Sequence, residues 1–148
     1  MRTCAWPMLA LVIAMACAAS GCARAVRDTD GFATQNEATV EAPFDPSWQA
    51  TKAALRAREF DIYTRDKRGV FVAYSKMKRR AFLVPERIQY TVTLEPVSDQ
   101  ATRIAVETIR QVYGVTLLTY PGWHDRKTTD DTEARALIEA IQAEAATP

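Results

Sequence analysis

Few side chains in this 148-residue chain are equipped for covalent or metal chemistry, since it holds three cysteines and one histidine. Cys22 closes the tetrapeptide Ala19-Ser20-Gly21-Cys22 directly after an apolar run. Small side chains there suit a processing peptidase, and the thiol is a candidate for acylation. His124 lies in Trp123-His124-Asp125-Arg126, just after Pro121-Gly122. A zinc site would need further good ligands, and a nucleophile–base pair would need a Ser or Thr brought to the imidazole by the fold. With no second histidine, His124 is expected to be a loop residue bonded to its neighbours or to solvent, without metal or cofactor. Asp130-Asp131 invites a glycosidase or cation-site reading, but glycoside hydrolysis needs two carboxylates roughly 5 to 9 Å apart across a cleft. These two sit at an expected helix start, where the helix dipole favours negative charge anyway. The five glycines form neither a P-loop nor a dinucleotide pattern. The residues that could do chemistry therefore point away from an enzyme.

The segment before Cys22 has the three parts of a secretory signal: Arg2 as the positive start, a short apolar stretch from Ala5 to Ala19, and small residues before the cut. A spanning helix needs about 20 apolar residues, and this run is shorter. The tetrapeptide resembles a bacterial lipobox in Ser20, Gly21 and Cys22, and departs from it at Ala19, where leucine is preferred. It implies a diacylated, palmitate-bearing Cys22 as the first residue of the mature lipoprotein; the alternative is plain secretion with a cut near Ala19 or Ala25. Cys4 and Cys17 would leave with the signal, so no thiol stays free and no disulfide forms. Ala23 in place of Asp after the cysteine resembles outer-membrane sorting, giving a periplasm-facing anchored protein; an inner-membrane anchor is the alternative.

Loss of residues 1–21 leaves 127 of the 148, enough for one domain with one core. Only Arg2 is lost among the charged residues, so 18 basic face 18 acidic side chains. A balance near zero gives no global attraction to nucleic acid or anionic lipid, and the compartment argues against nucleic acid as well. Residues 22–43 are polar, mix charges and show no sustained period, which reads as a flexible tether with a root-mean-square reach of roughly 25 Å.

Residues 44–148 read as a single domain. Asp45 and Pro46 suit a helix start, and Trp48 and Leu55 share one face of that helix, with Trp48 as a core anchor. Phe60 to Arg65 and Val70 to Ser75 flank Asp66-Lys67-Arg68-Gly69, the pattern of a hairpin closed by a left-handed glycine. From Glu86 to Glu95 the chain alternates, with Ile88, Tyr90, Val92 and Leu94 on one face and Arg87, Gln89, Thr91 and Thr93 on the other. Pro96 to Gln100 is a turn, and Thr102 to Val112 a fourth strand whose alternation slips at Ile109, where a bulge or a sheet edge is expected. Val115 to Tyr120 extends this strand or adds a short one. Asp130 is expected to cap a last helix, with Glu133 as its reciprocal partner and Ala134, Leu137, Ile138 and Ile141 as its apolar stripe. The expected fold class is α+β: an N-terminal helix, a four-stranded antiparallel sheet and a C-terminal helix, with the helices on one face of the sheet.

Asp45-Pro46-Ser47-Trp48, then Leu55, Phe60, Ile62, Asp66, Gly69, Val70 and Val72, resembles the helix-then-hairpin opening of small helix-grip lipoproteins. The BamC component of the outer-membrane β-barrel assembly machinery carries such domains. The resemblance implies a helix-grip fold and a place in envelope assembly, and assigns no functional residue. Two stretches remain as candidate partner surfaces. Lys76, Lys78, Arg79 and Arg80 suit anionic headgroups or an acidic partner, the bland alternative being a solvated loop beside a sheet edge. They lie roughly 20 to 25 Å along the hairpin from Arg65, Lys67 and Arg68. Leu118, Tyr120 and Trp123 belong to an apolar run from Val112 that is either core or a binding patch. Three functions follow: a non-enzymatic envelope scaffold or binding module with a protein partner, a domain holding a small apolar or envelope ligand between helix and sheet, and an enzyme acting on cell-wall or lipid substrates, which needs polar groups converging with His124 in a cleft. The second needs a pocket of a few hundred Å³ between helix and sheet.

Overall fold

A computed structural model of the chain describes residues 31–80, 84–114 and 120–147. The signal segment, Cys22, the alternative cuts near Ala19 and Ala25, and residues 115–119, which hold Leu118 and nearly all of the stretch expected to extend the fourth strand, lie outside the described residues. The order of elements is β1 (Thr34–Val40), α1 (Phe44–Ala57), β2 (Asp61–Asp66), β3 (Val70–Tyr74), β4 (Lys78–Arg80), β5 (Val84–Ser98), β6 (Ala101–Gly114), β7 (Gly122–Arg126) and α2 (Thr132–Ala145).

The seven strands form one antiparallel sheet in the order β1-β6-β5-β3-β2, with β4 on β5 and β7 on β6. The expected fold class of a four-stranded sheet opened by a helix, and with it the helix-grip description, is therefore corrected. A strand precedes the first helix, and two short strands extend the far end. The physical reason is the length of β5 and β6. Each is longer than its neighbours, so each takes two partners in succession along one edge. β5 pairs with β4 through Val84–Glu86 and with β3 through Gln89–Thr93. β6 pairs with β1 through Thr102–Thr108 and with β7 through Arg110–Gly114. Thr34–Val40, expected to be tether, supplies β1 and closes an edge that would otherwise expose its N–H and C=O groups.

Ile109 sits where β6 changes partner from β1 to β7, and its pairing with Gln89 continues the β5–β6 register without a shift. The slip in alternation at Ile109 marks this handover and not a bulge. Burial changes phase there: Ile104, Val106 and Thr108 are buried before it, and Ile109 and Gln111 after it, on the opposite face of the strand.

The core lies between one face of the sheet and the two helices. Phe71, Ala73, Tyr90, Val92, Leu94, Ile104 and Val106 meet Trp48, Ala54 and Leu55 of α1 and Ala134, Leu137, Ile138 and Ile141 of α2 in a single buried cluster. The helical positions recur at three and four residues, as an apolar stripe requires. Trp48 is the expected core anchor: its ring lies 5.1 Å from that of Phe71, and its indole N–H donates to the Asp66 carbonyl at 3.0 Å. Both helix starts differ in detail from expectation. Pro43 occupies the cap of α1 and Asp45 falls in its first turn. Asp131 is the cap residue of α2, while Asp130 accepts from the Thr132 N–H at 3.1 Å and Glu133 turns instead to Arg58.

The β2–β3 hairpin closes at Gly69, whose φ is +104°. A Cβ there would stand 2.4 Å from the Leu94 carbonyl oxygen, and the Gly69 carbonyl accepts from the Leu94 N–H at 2.7 Å. The turn is thus stitched to β5 by a close approach that only glycine permits. Gly69→Ala is expected to lower stability by about 2–3 kcal/mol in urea denaturation. Gly114→Ala, whose Cβ would meet nothing within 4 Å, is expected to be neutral or slightly stabilising. Equal effects of the two substitutions would contradict this reading of the turn.

Candidate functional site

Residues directly opposite each other in the sheet share a face, so the register places Tyr74, Gln89 and Ile109 in one row, Arg87, Gln111 and Asp125 in the next, and Tyr113 beside Trp123 in a third. All of these lie on the face turned away from the helical core. Across them runs a stack. The Arg87 guanidinium carbon is 3.9 Å from the Tyr74 ring centroid and 4.1 Å from that of Trp123, so the cation is held between two aromatic faces. The array continues outward edge to face, with Tyr63 6.1 Å from Tyr74 and Tyr113 5.4 Å from Trp123. Each cation–π contact at a partly exposed site contributes on the order of 0.5–1 kcal/mol.

A polar network fixes the arginine from beneath. Its Nε donates to Gln111 Oε1 at 2.9 Å, and the Gln111 amide donates to Gln89 Oε1 at 3.1 Å and to Asp125 Oδ1 at 2.9 Å. Gln111 is only 3 % exposed, so its amide serves as a buried bracket joining three strands. Beside the stack lies an open groove of about 540 Å³, walled by Tyr63, Tyr74, Ser75, Met77, Arg87 and Trp123 and reaching Asp61 and Ile62. Tyr63 is 80 % exposed and Met77 62 %.

A second cleft, of about 370 Å³, opens between the end of α1, the start of α2 and β5, and shares Ser75 and Arg87 with the groove. The two meet where β5 passes from β4 to β3; there Ser75 bridges the gap, its Oγ accepting from the Ile88 N–H at 2.9 Å. The cleft contains Arg58, Lys76, Lys78 and Arg110 opposite Glu86, Asp130 and Glu133. Phe60, Ile88 and Tyr90 complete its lining, so a cleft of the size expected for a small apolar or envelope ligand between helix and sheet has mixed charged and apolar walls. Arg58 donates to Glu133 and to the Ala136 carbonyl, while its Nε and that of Arg110 are buried without a partner among the described residues. Tyr90 stacks on Phe60 at 4.8 Å, and its phenol is pushed up to about 12 by burial, reinforced by the negative charges of Glu133 and Asp130.

The other candidate residues are dispersed. Lys76 pairs with Glu59 at 2.5 Å, and the backbone of Lys78, Arg79 and Arg80 forms β4 on the β5 edge, so the expected basic loop is a short strand. Tyr120 is 94 % exposed, and Trp123 is half-buried in the stack. His124 is in β7 and not in a loop; its Nε2 lies 3.2 Å from the Gly114 carbonyl oxygen. It lines neither cavity. Among the described residues no group of His, Cys, Asp and Glu is gathered to hold a metal ion, and no helix is long and apolar enough to cross a membrane. The sequence does not mark Arg87, Tyr74 and Tyr63 as site residues, whereas Tyr113 belongs to the apolar run from Val112. The available signal was an arginine on the polar side of an alternating strand, which by itself describes a solvated position.

No protein-family model matches the chain, and no curated protein matches it.

The Tyr90 phenol gives a pH test of the helix-side packing. The folded state holds this proton more tightly than the unfolded chain, whose ordinary pKa is 10.0, so the contribution is complete below that pH and is lost as pH rises through about 12. The loss is on the order of 2–3 kcal/mol. Phenolate absorbance is expected to show one step near pH 12 that Tyr90→Phe removes. A Tyr90 titration at the ordinary value would contradict the buried placement.

Proposed function

We propose that this protein is a non-enzymatic binding module of the bacterial cell envelope, tethered through a lipid on Cys22 and presenting the outer face of its sheet to a protein partner. The observation that carries this reading is the Tyr74–Arg87–Trp123 stack on a face that neither helix covers. Tyr, Trp and Arg are the residues that dominate binding energy at protein interfaces, and they do so where neighbouring contacts keep them rigid and exclude water. Here Gln111 and the flanking tyrosines supply the rigidity. The lipobox-like Ala19-Ser20-Gly21-Cys22 and the outer-membrane type of residue at position 23 support a periplasm-facing anchor. A place in outer-membrane protein assembly or envelope maintenance fits such a module.

The test is site-specific photo-crosslinking with the full chain in its own cells. A photoreactive residue in place of Tyr63, beside the stack, is compared with one at Glu139, which is exposed on α2. A discrete adduct with an envelope protein is expected from the first position only. It should weaken with Cys22→Ala, which should also abolish incorporation of labelled palmitate. Identical adducts from both positions would overturn the choice of face, and a wild-type protein without palmitate would overturn the anchor.

A further inference from the structure

The arginine at the centre of the stack has bonding capacity that the fold does not use. Its Nε is committed to Gln111, and its plane is fixed between Tyr74 and Trp123. The four N–H groups on its two terminal nitrogens find no acceptor among the described residues. A guanidinium so held presents a pre-oriented fork, and the matching acceptor is a planar oxyanion. Immobilisation by the fold removes the rotamer entropy that a free arginine would lose on binding.

Resting on the reading of this face as the docking surface, we propose that the groove binds an extended segment of a partner protein through an Asp or Glu side chain seated on the Arg87 fork. Three features choose this occupant. The inner faces of Tyr74 and Trp123 are already filled by the guanidinium, so they are not bare platforms on which a sugar ring stacks. Arg87 is the one cation among the described residues that line the groove, and with the Asp61 and Asp125 carboxylates nearby a phosphate dianion would be repelled more strongly than a single carboxylate. The groove is an open trough, which suits a chain passing along it more than a chain end. Its far wall belongs to β2, the last strand of the sheet among the described residues, whose outer edge offers N–H and C=O groups to an extended segment.

The experiment is a selection of random heptapeptides displayed between flanking residues against the full chain in detergent micelles. Binding of the selected peptides, synthesised with amidated ends, is then measured by fluorescence anisotropy. Enriched sequences are expected to carry Asp or Glu. Changing that residue to Asn or Gln, or Arg87→Gln in the protein, should weaken binding at least tenfold. Arg87→Lys, which keeps the charge and loses the fork, should weaken it several-fold. Tyr63→Ala, at a side chain that carries little packing, should weaken binding without altering the preference for an acidic residue. Melting curves of Arg87→Lys and Tyr63→Ala confirm that folded protein is compared. Sequences without an acidic residue, binding indifferent to Arg87→Gln, or binding that requires a free C-terminal carboxylate would each overturn the inference. If Tyr63→Ala still weakened such binding, the docking face itself would stand. Peptides indifferent to both positions would overturn the face as well. Binding of phosphatidylglycerol vesicles through Arg87, with no peptide enriched, would assign the fork to lipid and overturn the peptide reading.

Discussion

The pairing of β5 with β6 is the constraint on which the rest of the structure depends. The register runs without a shift from Glu86 opposite Val112 to Pro96 opposite Thr102, and at about 3.4 Å per residue this ribbon is longer than any other element of the sheet. Its two edges exceed what one strand can cover, so each edge takes two. The helix-side residues of the ribbon, Tyr90, Val92, Leu94, Ile104 and Val106, are all but inaccessible and form the floor on which α1 and α2 lie. On the other face the same register sets Arg87 against Gln111 and brings Tyr74 and Trp123 in from β3 and β7. One set of backbone hydrogen bonds thus positions both the core and the stack.

The parts legible in the sequence are those whose burial is written in their own periodicity. The stripe of Ala134, Leu137, Ile138 and Ile141 is the buried face of α2, and Trp48 and Leu55 are the buried face of α1. The alternation through Tyr90, Val92 and Leu94 and the turn at Gly69 also describe the fold directly, because alternation and a left-handed glycine are local consequences of strand and turn geometry. The strands that escaped notice lack such a signal. Thr34–Val40 is mostly polar and buries only Val40 fully, Lys78–Arg80 is wholly basic, and Gly122–Arg126 carries a single large apolar residue. They become strands because the β5–β6 ribbon offers them unpaired edges, a tertiary cause that outweighs local propensity.

The site was less legible than the fold for a related reason. Arg87 alternates correctly with Ile88 and so appears as one more solvated charge. What distinguishes it is the arrival of two aromatic rings from strands far away in sequence, one of which belongs to β7. Trp123 was marked as a candidate partner residue for its apolar surroundings; its contact with a cation follows only from the β6–β7 register. Of the basic residues from Lys76 to Arg80, Lys76 is paired with Glu59, and Lys78–Arg80 form the short strand β4 on the β5 edge. The cation held between rings on the outer face is Arg87, and its strength lies in its immobilisation.

That immobilisation is the central claim, and nitrogen-15 NMR of the arginine side chains in the full chain tests it most directly. A guanidinium held between two rings and bonded through Nε should give one Nε–H signal that is ring-current shifted and slow to exchange with water, and that signal should return to an ordinary position in Trp123→Leu. An Arg87 signal with the shift and exchange rate of a free surface arginine in the unaltered protein would contradict it.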